Sequence, residues 1–356
     1  MAKKSEKFVA YVSTYTSGTT NKCGIKIYDV DMEKGRFTEK GETEITNSSY
    51  MTTAHNRRVL YSITDSGVEA NEILADGLLR ELNTGSINGM RGCYLSTDYD
   101  DKFLFVAGYH DGKLTVLRIN ADGSVGEVVE EIYHKGLGSA AERLGRPHIN
   151  CARMTRDNKY LCEADVGMDC VNVYELDHDS GRLKSVDIIR CEQQSSPRHL
   201  KFTRDGKFLY VLHEYTKNIC VFRYFEQGPH DPEFERVETV STVSKYHATG
   251  TAASGLKLSF DGNYLLSTNA GDNSVIVYAA NKQTGHLSKM FCLPVSGDYP
   301  KDASLFPDNR HLVSLNHESN SLTFFAVDLE QRTMSQNGPH MPIDRPNCIV
   351  FHRLSP

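Results

Sequence analysis

The chain has 356 residues, 39% hydrophobic and 24% charged, a balance that excludes a disordered polypeptide and leaves room for a sizeable core. Its 40 basic and 46 acidic residues give a formal net charge of -6, so no global positive field exists to hold a polyphosphate backbone, and nucleic acid is not an expected partner.

The N-terminal MAKKSEKFVAYVSTYT is basic and then turns polar too soon to form the apolar core of a secretory signal. No later stretch approaches the ~20 consecutive apolar residues that span a bilayer, so no membrane association is expected. Apolar strands then recur along the chain: FVAYV from Phe8, VLYSI from Val59, FLFVA from Phe103, YLCEA from Tyr160, FLYVL from Phe208, YLLST from Tyr264 and HLVSL from His311, at spacings of 44 to 57 residues. The segment from Pro197 to Phe225 displays the unit: a short strand, a DG turn, an apolar strand, a polar loop and an alternating third strand. Third strands follow in step as GIKIYDV, KLTVLRI, CVNVYEL, ICVFRYF, SVIVYAA and SLTFFAV, and turns such as DHDSGRL and NKQTGHL lead into an outer fourth strand. A unit near 50 residues with no helical period is a propeller blade, so the repeat predicts an all-β, seven-bladed β-propeller as one domain over residues 1–356. The final RPNCIVFHRL resembles the first strand of a blade, and Phe8 opens a second strand that has no first. Pairing Asn347 to Phe351 with Phe8 to Val12 in one composite blade therefore closes the ring and removes an exposed sheet edge.

The nine cysteines are scattered and never form a CxxC pair, which points to reduced thiols in a cytoplasm and to no zinc site. Propeller strands converge on a central channel, so polar residues at their ends form rings. Ten residues before each second strand stand Ser49, Cys93, Asn150, Arg198, Ser254, Lys301 and Asn347; five residues after its start stand Ser13, Thr64, Gly108, Asp165, His213, Asn269 and Asn316. Both rings are expected at the same mouth. His148 lies two residues before Asn150, so a strand period of two points both side chains the same way. Arg198 occupies the matching place in the next blade, and Glu214 ends that blade's second strand beside it.

An imidazole, a carboxylate and a guanidinium are the parts that opening a lactone needs: a base for the attacking water, a donor for the oxyanion and an acid for the departing alkoxide. His148 and Glu214 suit the proton transfers and Arg198 the anion, with Lys301 adding a second positive charge. The same residues admit a structural reading, as an ion pair and a satisfied core histidine. No GxSxG, Walker, HExxH or Rossmann signature supports a rival chemistry.

At these residues the sequence resembles the seven-bladed lactonase propeller family, which includes bacterial 6-phosphogluconolactonase and the fungal carboxy-cis,cis-muconate lactonizing enzyme. The likeness runs from YVSTYTSG at Tyr11 through LFVAGYHDGKLTVLRI, RPHIN at Arg146, EADVGMDCVNVYEL at Glu163 and SSPRHLKFTRDGKFLYVLHEY at Ser195 to TNAGDNSVIVY at Thr268. The resemblance implies His148, Arg198 and Glu214 as the active-site set, a small anionic lactone as substrate, and neither cofactor nor metal. Asn150, Asp165, His199, Lys257, Asn269 and Lys301 are the expected substrate contacts. Several positions depart from the family pattern: PHxH becomes Pro147, His148, Ile149, Asn150; NRG becomes Asn269, Ala270, Gly271; NE becomes His213, Glu214; and the PR of the last blade becomes Pro300, Lys301. A family arginine in the strand before NRG is matched by Lys257. These changes leave the identity of the lactone open, as they do a muconate-type cycloisomerisation. A propeller that only binds other proteins is the remaining alternative, though it needs no such cluster in adjacent blades. The oligomeric state is not legible.

Overall fold

The computed structural model describes residues 6–18, 22–136, 145–226 and 232–354. They form seven antiparallel sheets of four principal strands each, the last carrying a short extra strand, Met341–Pro342. This is the seven-bladed arrangement expected from the repeat. The second strands, Phe8–Thr14, Val59–Ile63, Phe103–Gly108, Tyr160–Asp165, Phe208–His213, Tyr264–Ala270 and His311–Asn316, begin at the seven residues that the repeat marks.

Strand composition follows position in the blade. The inner FLYVLH of blade five is buried at every residue because sheets pack on both of its faces, whereas the outer EFERVETVS of the same blade has exposed residues on its solvent side. The repeat also hides one strand. In blade two the third strand, Gly67–Ile73, reads GVEANEI, with Glu69 and Asn71 interrupting the apolar run. Both are buried, and Asn71 Nδ2 donates to Glu69 Oε1 at 2.8 Å, so each polar group offsets the other's loss of water. The turn before the second strand is equally regular. Arg57, Asp101, Asn158, Gly206, Gly262 and Asn309, each two residues before that strand, adopt positive φ, which favours Gly, Asn and Asp.

The terminal strands meet as expected: Pro346–Arg353 pairs antiparallel with Phe8–Thr14, with Val12 opposite Ile349 and Phe8 opposite Arg353. Val12 and Ile349, fully buried, share a core cluster with Phe306, Val313, Leu315 and Phe324 of blade seven. The closing strand thus completes blade one and also its packing against its neighbour. Replacing Ile349 by Ala is expected to cost ~2–5 kcal/mol in urea unfolding, the range for a buried Ile truncated to Ala. A chain ending at Asp344 is expected to lose its cooperative transition.

Candidate active site

The seven residues at the heads of the first strands, Ser49, Cys93, Asn150, Arg198, Ser254, Lys301 and Asn347, all line one cavity at the mouth of the channel. Counting the open solvent at its mouth, the cavity encloses about 890 Å³, enough for a small ligand. A repeated backbone irregularity aims these side chains. In five blades the pairing of the first with the second strand skips one residue, at Asn150, Arg198, Ser254, Lys301 and Asn347. Each is the extra residue of a β-bulge, which bends the strand and re-aims a side chain. Consecutive residues therefore reach the same cavity: Arg198 with His199, Ser254 with Gly255, and Lys301 with Asp302.

Arg198 Nη1 donates to Glu214 Oε2 at 2.6 Å and its Nε donates to the Ser254 carbonyl at 3.1 Å. The two charged side chains are about a quarter exposed, at 27% and 25%. Glu214 is pinned by its own backbone: its N–H donates to Ser196 O at 2.8 Å and its carbonyl accepts from Ala253 N at 3.1 Å, which locks it between blades five and six. Burial works against the guanidinium's charge, but Glu214 outweighs it and holds the Arg198 pKa above its ordinary value. Lys301 differs. Burial, then Arg198 and Arg91, push it down to about 8. Its ammonium donates to Asn347 Oδ1 at 3.1 Å and lies 4.8 Å from the Tyr15 ring centre, with Arg91 4.9 Å from the same ring. Lys257 is neutralised in place by Asp302 at 2.6 Å and also donates to the Ile349 carbonyl at 2.7 Å. His199, desolvated and surrounded by Arg198, Lys201 and Lys257, is held well below the usual histidine range and stays neutral. The mouth is therefore an anion-receiving surface built around Arg198 and Lys301.

Asn150, His199, Lys257 and Lys301 reach the cavity as the sequence suggests. The second ring does not. Asp165, His213, Asn269 and Asn316 are buried within the blades, because side chains at the ends of the second strands hold turns. Asp165 Oδ1 accepts from the backbone N–H of His148, Gly167 and Met168 at 2.9, 3.0 and 3.1 Å. Asn269 is bonded on both sides to Thr242 at 2.9 and 2.7 Å, and His213 lines a separate cavity with Cys191, Cys220 and Arg236. Neither Glu214 nor His148 is among the residues lining the cavity, and each touches one that is, Arg198 and Tyr109. His148 parts from Asn150, which does line it, because the bulge at Asn150 breaks the period of two on which that pairing rested. Its ring packs against Tyr109, a lining residue, 4.4 Å between centres, and its Nδ1 donates to the Tyr109 carbonyl at 2.6 Å. With Nδ1 donating, Nε2 is the ring's other proton-transfer position. Tyr15, Tyr50, Tyr109 and Asp302 also line the cavity and were not singled out from sequence; Tyr50 and Asp302 directly follow ring residues, which was the available signal.

Behind the mouth, Asp165 belongs to a buried cluster. His134 Nδ1 lies 2.9 Å from Asp165 Oδ2 and its Nε2 2.9 Å from the Tyr174 hydroxyl, with Glu163 3.4 Å away. Burial first, and then Asp165, push Glu163 up to about 8 against the opposing pull of His134 and Asn172. His134 is raised as well: burial lowers it, but Glu163 and Asp165 outweigh that.

The chain matches the family model described as "Lactonase, 7-bladed beta-propeller" over residues 9–351. It is similar to the 6-phosphogluconolactonase of Bacillus subtilis (strain 168), 29% identical over 97% of this chain and 98% of that protein. A 6-phosphogluconolactonase of Formosa agariphila is 25% identical over 86% and 89% of the two chains. Among solved structures, a Lactobacillus plantarum protein superposes with a TM-score of 0.86 at 27% identity, covering 98% of this chain and 100% of the other. The Pseudomonas aeruginosa periplasmic gluconolactonase PpgL shares the fold with a TM-score of 0.89 at 24% identity, over 98% and 100%.

The buried cluster carries a pH signature. Glu163, raised from its ordinary range to about 8, contributes stability that is complete below pH ~4.5 and is lost as pH rises toward 8; raised His134 acts in the same direction. Glu163→Gln keeps an acceptor for Asn172 and removes the titration. Its stability relative to the parent is expected to improve between pH 5 and 8, by at most ~1.4 kcal/mol per pH unit, in urea unfolding at each pH. A difference that stays constant across that range would show that Glu163 is already ionised in the fold.

Proposed function

The chain belongs to the seven-bladed β-propeller lactonase family, and from that membership and the cationic cavity we propose that it hydrolyses a small anionic sugar lactone, 6-phosphoglucono-1,5-lactone being the first to try. The observation that carries the reading is the pairing of Arg198 with Glu214 at 2.6 Å in blade five, at the mouth that Lys301 of blade seven and Asn347 of blade one also line. A lysine and an arginine at one mouth suit a substrate with two anionic needs: a phosphate or carboxylate held in the ground state, and an oxyanion that develops when water attacks the ring carbonyl. Lys301 takes the first. Arg198, whose planar fork is held by the Ser254 carbonyl and Glu214 and whose Nη2 has no protein acceptor among the described residues, takes the second through Nη2. Glu214, held by Arg198 through Oε2, keeps Oε1 for the attacking water, and His148 supplies the second proton-transfer group through Nε2. None of these steps calls for a metal. The nine free cysteines support a cytoplasmic setting.

Proton release on a panel of phosphorylated and plain aldonolactones tests the activity. Arg198→Lys is expected to lower turnover, since a point charge cannot reproduce the fork. Glu214→Gln and His148→Gln are each expected to lower turnover ~100-fold or more with folding and ligand binding little changed, and the double variant to lose less than the product of the two. Near-parental turnover in both single variants would leave a binding propeller as the better reading. Lys301 supplies an independent check. Because it loses its charge as pH rises through about 8, binding of 6-phosphogluconate measured calorimetrically is expected to weaken from pH 7 to 9, and Lys301→Met to flatten that dependence.

A further inference from the structure

The turn that joins first and second strands is built alike in blades four, five and six. A Thr or Ser hydroxyl at its start donates to an Asp two residues on: Thr155 to Asp157, Thr203 to Asp205 at 2.7 Å and Ser259 to Asp261 at 2.6 Å. The same hydroxyl oxygen accepts the N–H of the first residue of the second strand, for example Tyr160 at 3.0 Å. In blade three the position is Asp98. Its Oδ1 accepts the equivalent N–H, from Phe103 at 2.8 Å, and that of Lys102 at 2.7 Å, but a carboxylate has no hydrogen to offer Asp100. Two carboxylates therefore stand where the other blades have a donor and an acceptor.

A histidine from the next blade joins them. One ligand atom from each of Asp98, Asp100 and His178 lies within 4.8 Å of the other two. His178 Nε2 is 2.7 Å from the Asn158 carbonyl, which can only accept, so Nε2 carries the proton and Nδ1 keeps the lone pair. That Nδ1 is buried and has no hydrogen-bond partner among the described residues. An imidazole whose second nitrogen is fixed by a backbone carbonyl is the usual arrangement of a metal-bound histidine. The cluster sits at the far end of the first strand Tyr94–Thr97 from Cys93, on the face opposite the candidate active site.

We propose that Asp98, Asp100 and His178 bind one divalent first-row ion, manganese or zinc, that clips blade three to blade four. One nitrogen and two carboxylate oxygens suit these ions, and water completes the shell at the exposed Asp100 side. The site is separate from the hydrolytic chemistry proposed above, which needs no metal. Manganese is the better probe because nine free thiols compete for zinc.

The full-length protein, stripped with chelator, is titrated with Mn²⁺ and free aqueous ion is followed by electron paramagnetic resonance. One ion per chain is expected, displaced by Zn²⁺, with a higher melting temperature when bound. Asp98→Thr restores the turn chemistry of blades four and five and so keeps the fold; it and His178→Gln are each expected to weaken binding by ~10-fold or more. A parent that binds no manganese, or variants that bind it as tightly as the parent, would overturn the assignment. The melting temperature of ion-free Asp98→Thr, expected to equal or exceed that of the ion-free parent, separates loss of the site from loss of the fold.

Discussion

Everything at the mouth depends on the closure of the ring. Seven sheets radiating from an axis bring the heads of their first strands together only if the last sheet meets the first, and here one sheet is shared by both ends of the chain. The eight-residue strand Pro346–Arg353 lies against Phe8–Thr14 through an unbroken register from Phe8 to Ser13, and its Asn347 is the seventh wall of the cavity. Association of the termini is thus a condition for having a site. It also removes the two free edges that an open stack of sheets would present to other chains.

Once closed, the ring concentrates positive charge. Arg198, Lys257 and Lys301 line the cavity, with Lys201 and Arg153 acting on the same interior. Burial first, and then the neighbouring like charges, lower Lys201 to about 7 and Lys301 to about 8. Two of the cations are relieved by carboxylates, Arg198 by Glu214 and Lys257 by Asp302, whereas Lys301 makes no ion pair among the described residues. A fold does not need such an arrangement for stability. It makes physical sense where an anion arrives to complete it, which connects the electrostatics to the family's chemistry.

The polar residues just behind the mouth do different work. Asp165 gathers three backbone N–H groups into one carboxylate oxygen, and Asn269 and Asn316 bridge neighbouring strands. They hold the turns from which the mouth is built, so their polarity reports unsatisfied backbone and not ligand contact. His148 hangs from the same network, its N–H on Asp165 and its ring on Tyr109. Any movement of that turn carries the imidazole with it.

The repeat by itself determined the number of blades, the start of every second strand and the composite closing blade, because strand alternation and turn residues are local properties that recur at a readable spacing. It also determined the first ring, since equal distance from a repeated strand means equal place in each blade. The bulges at Asn150, Arg198, Ser254, Lys301 and Asn347 were decided only in three dimensions. A bulge depends on how one strand's hydrogen bonds slip against its partner, and no side-chain pattern records that slip. It is why Asp302 joins Lys301 in the cavity, and why Asn150 parts from His148. The burial of Asp165 and Asn269 was likewise hidden, since a polar residue at the end of an apolar strand reads the same whether it meets solvent, a ligand or the backbone of the next turn. The meeting of Asp98 and Asp100 with His178 lay beyond a spacing argument for the same reason: residues 80 positions apart in sequence share a face only because blade four packs on blade three.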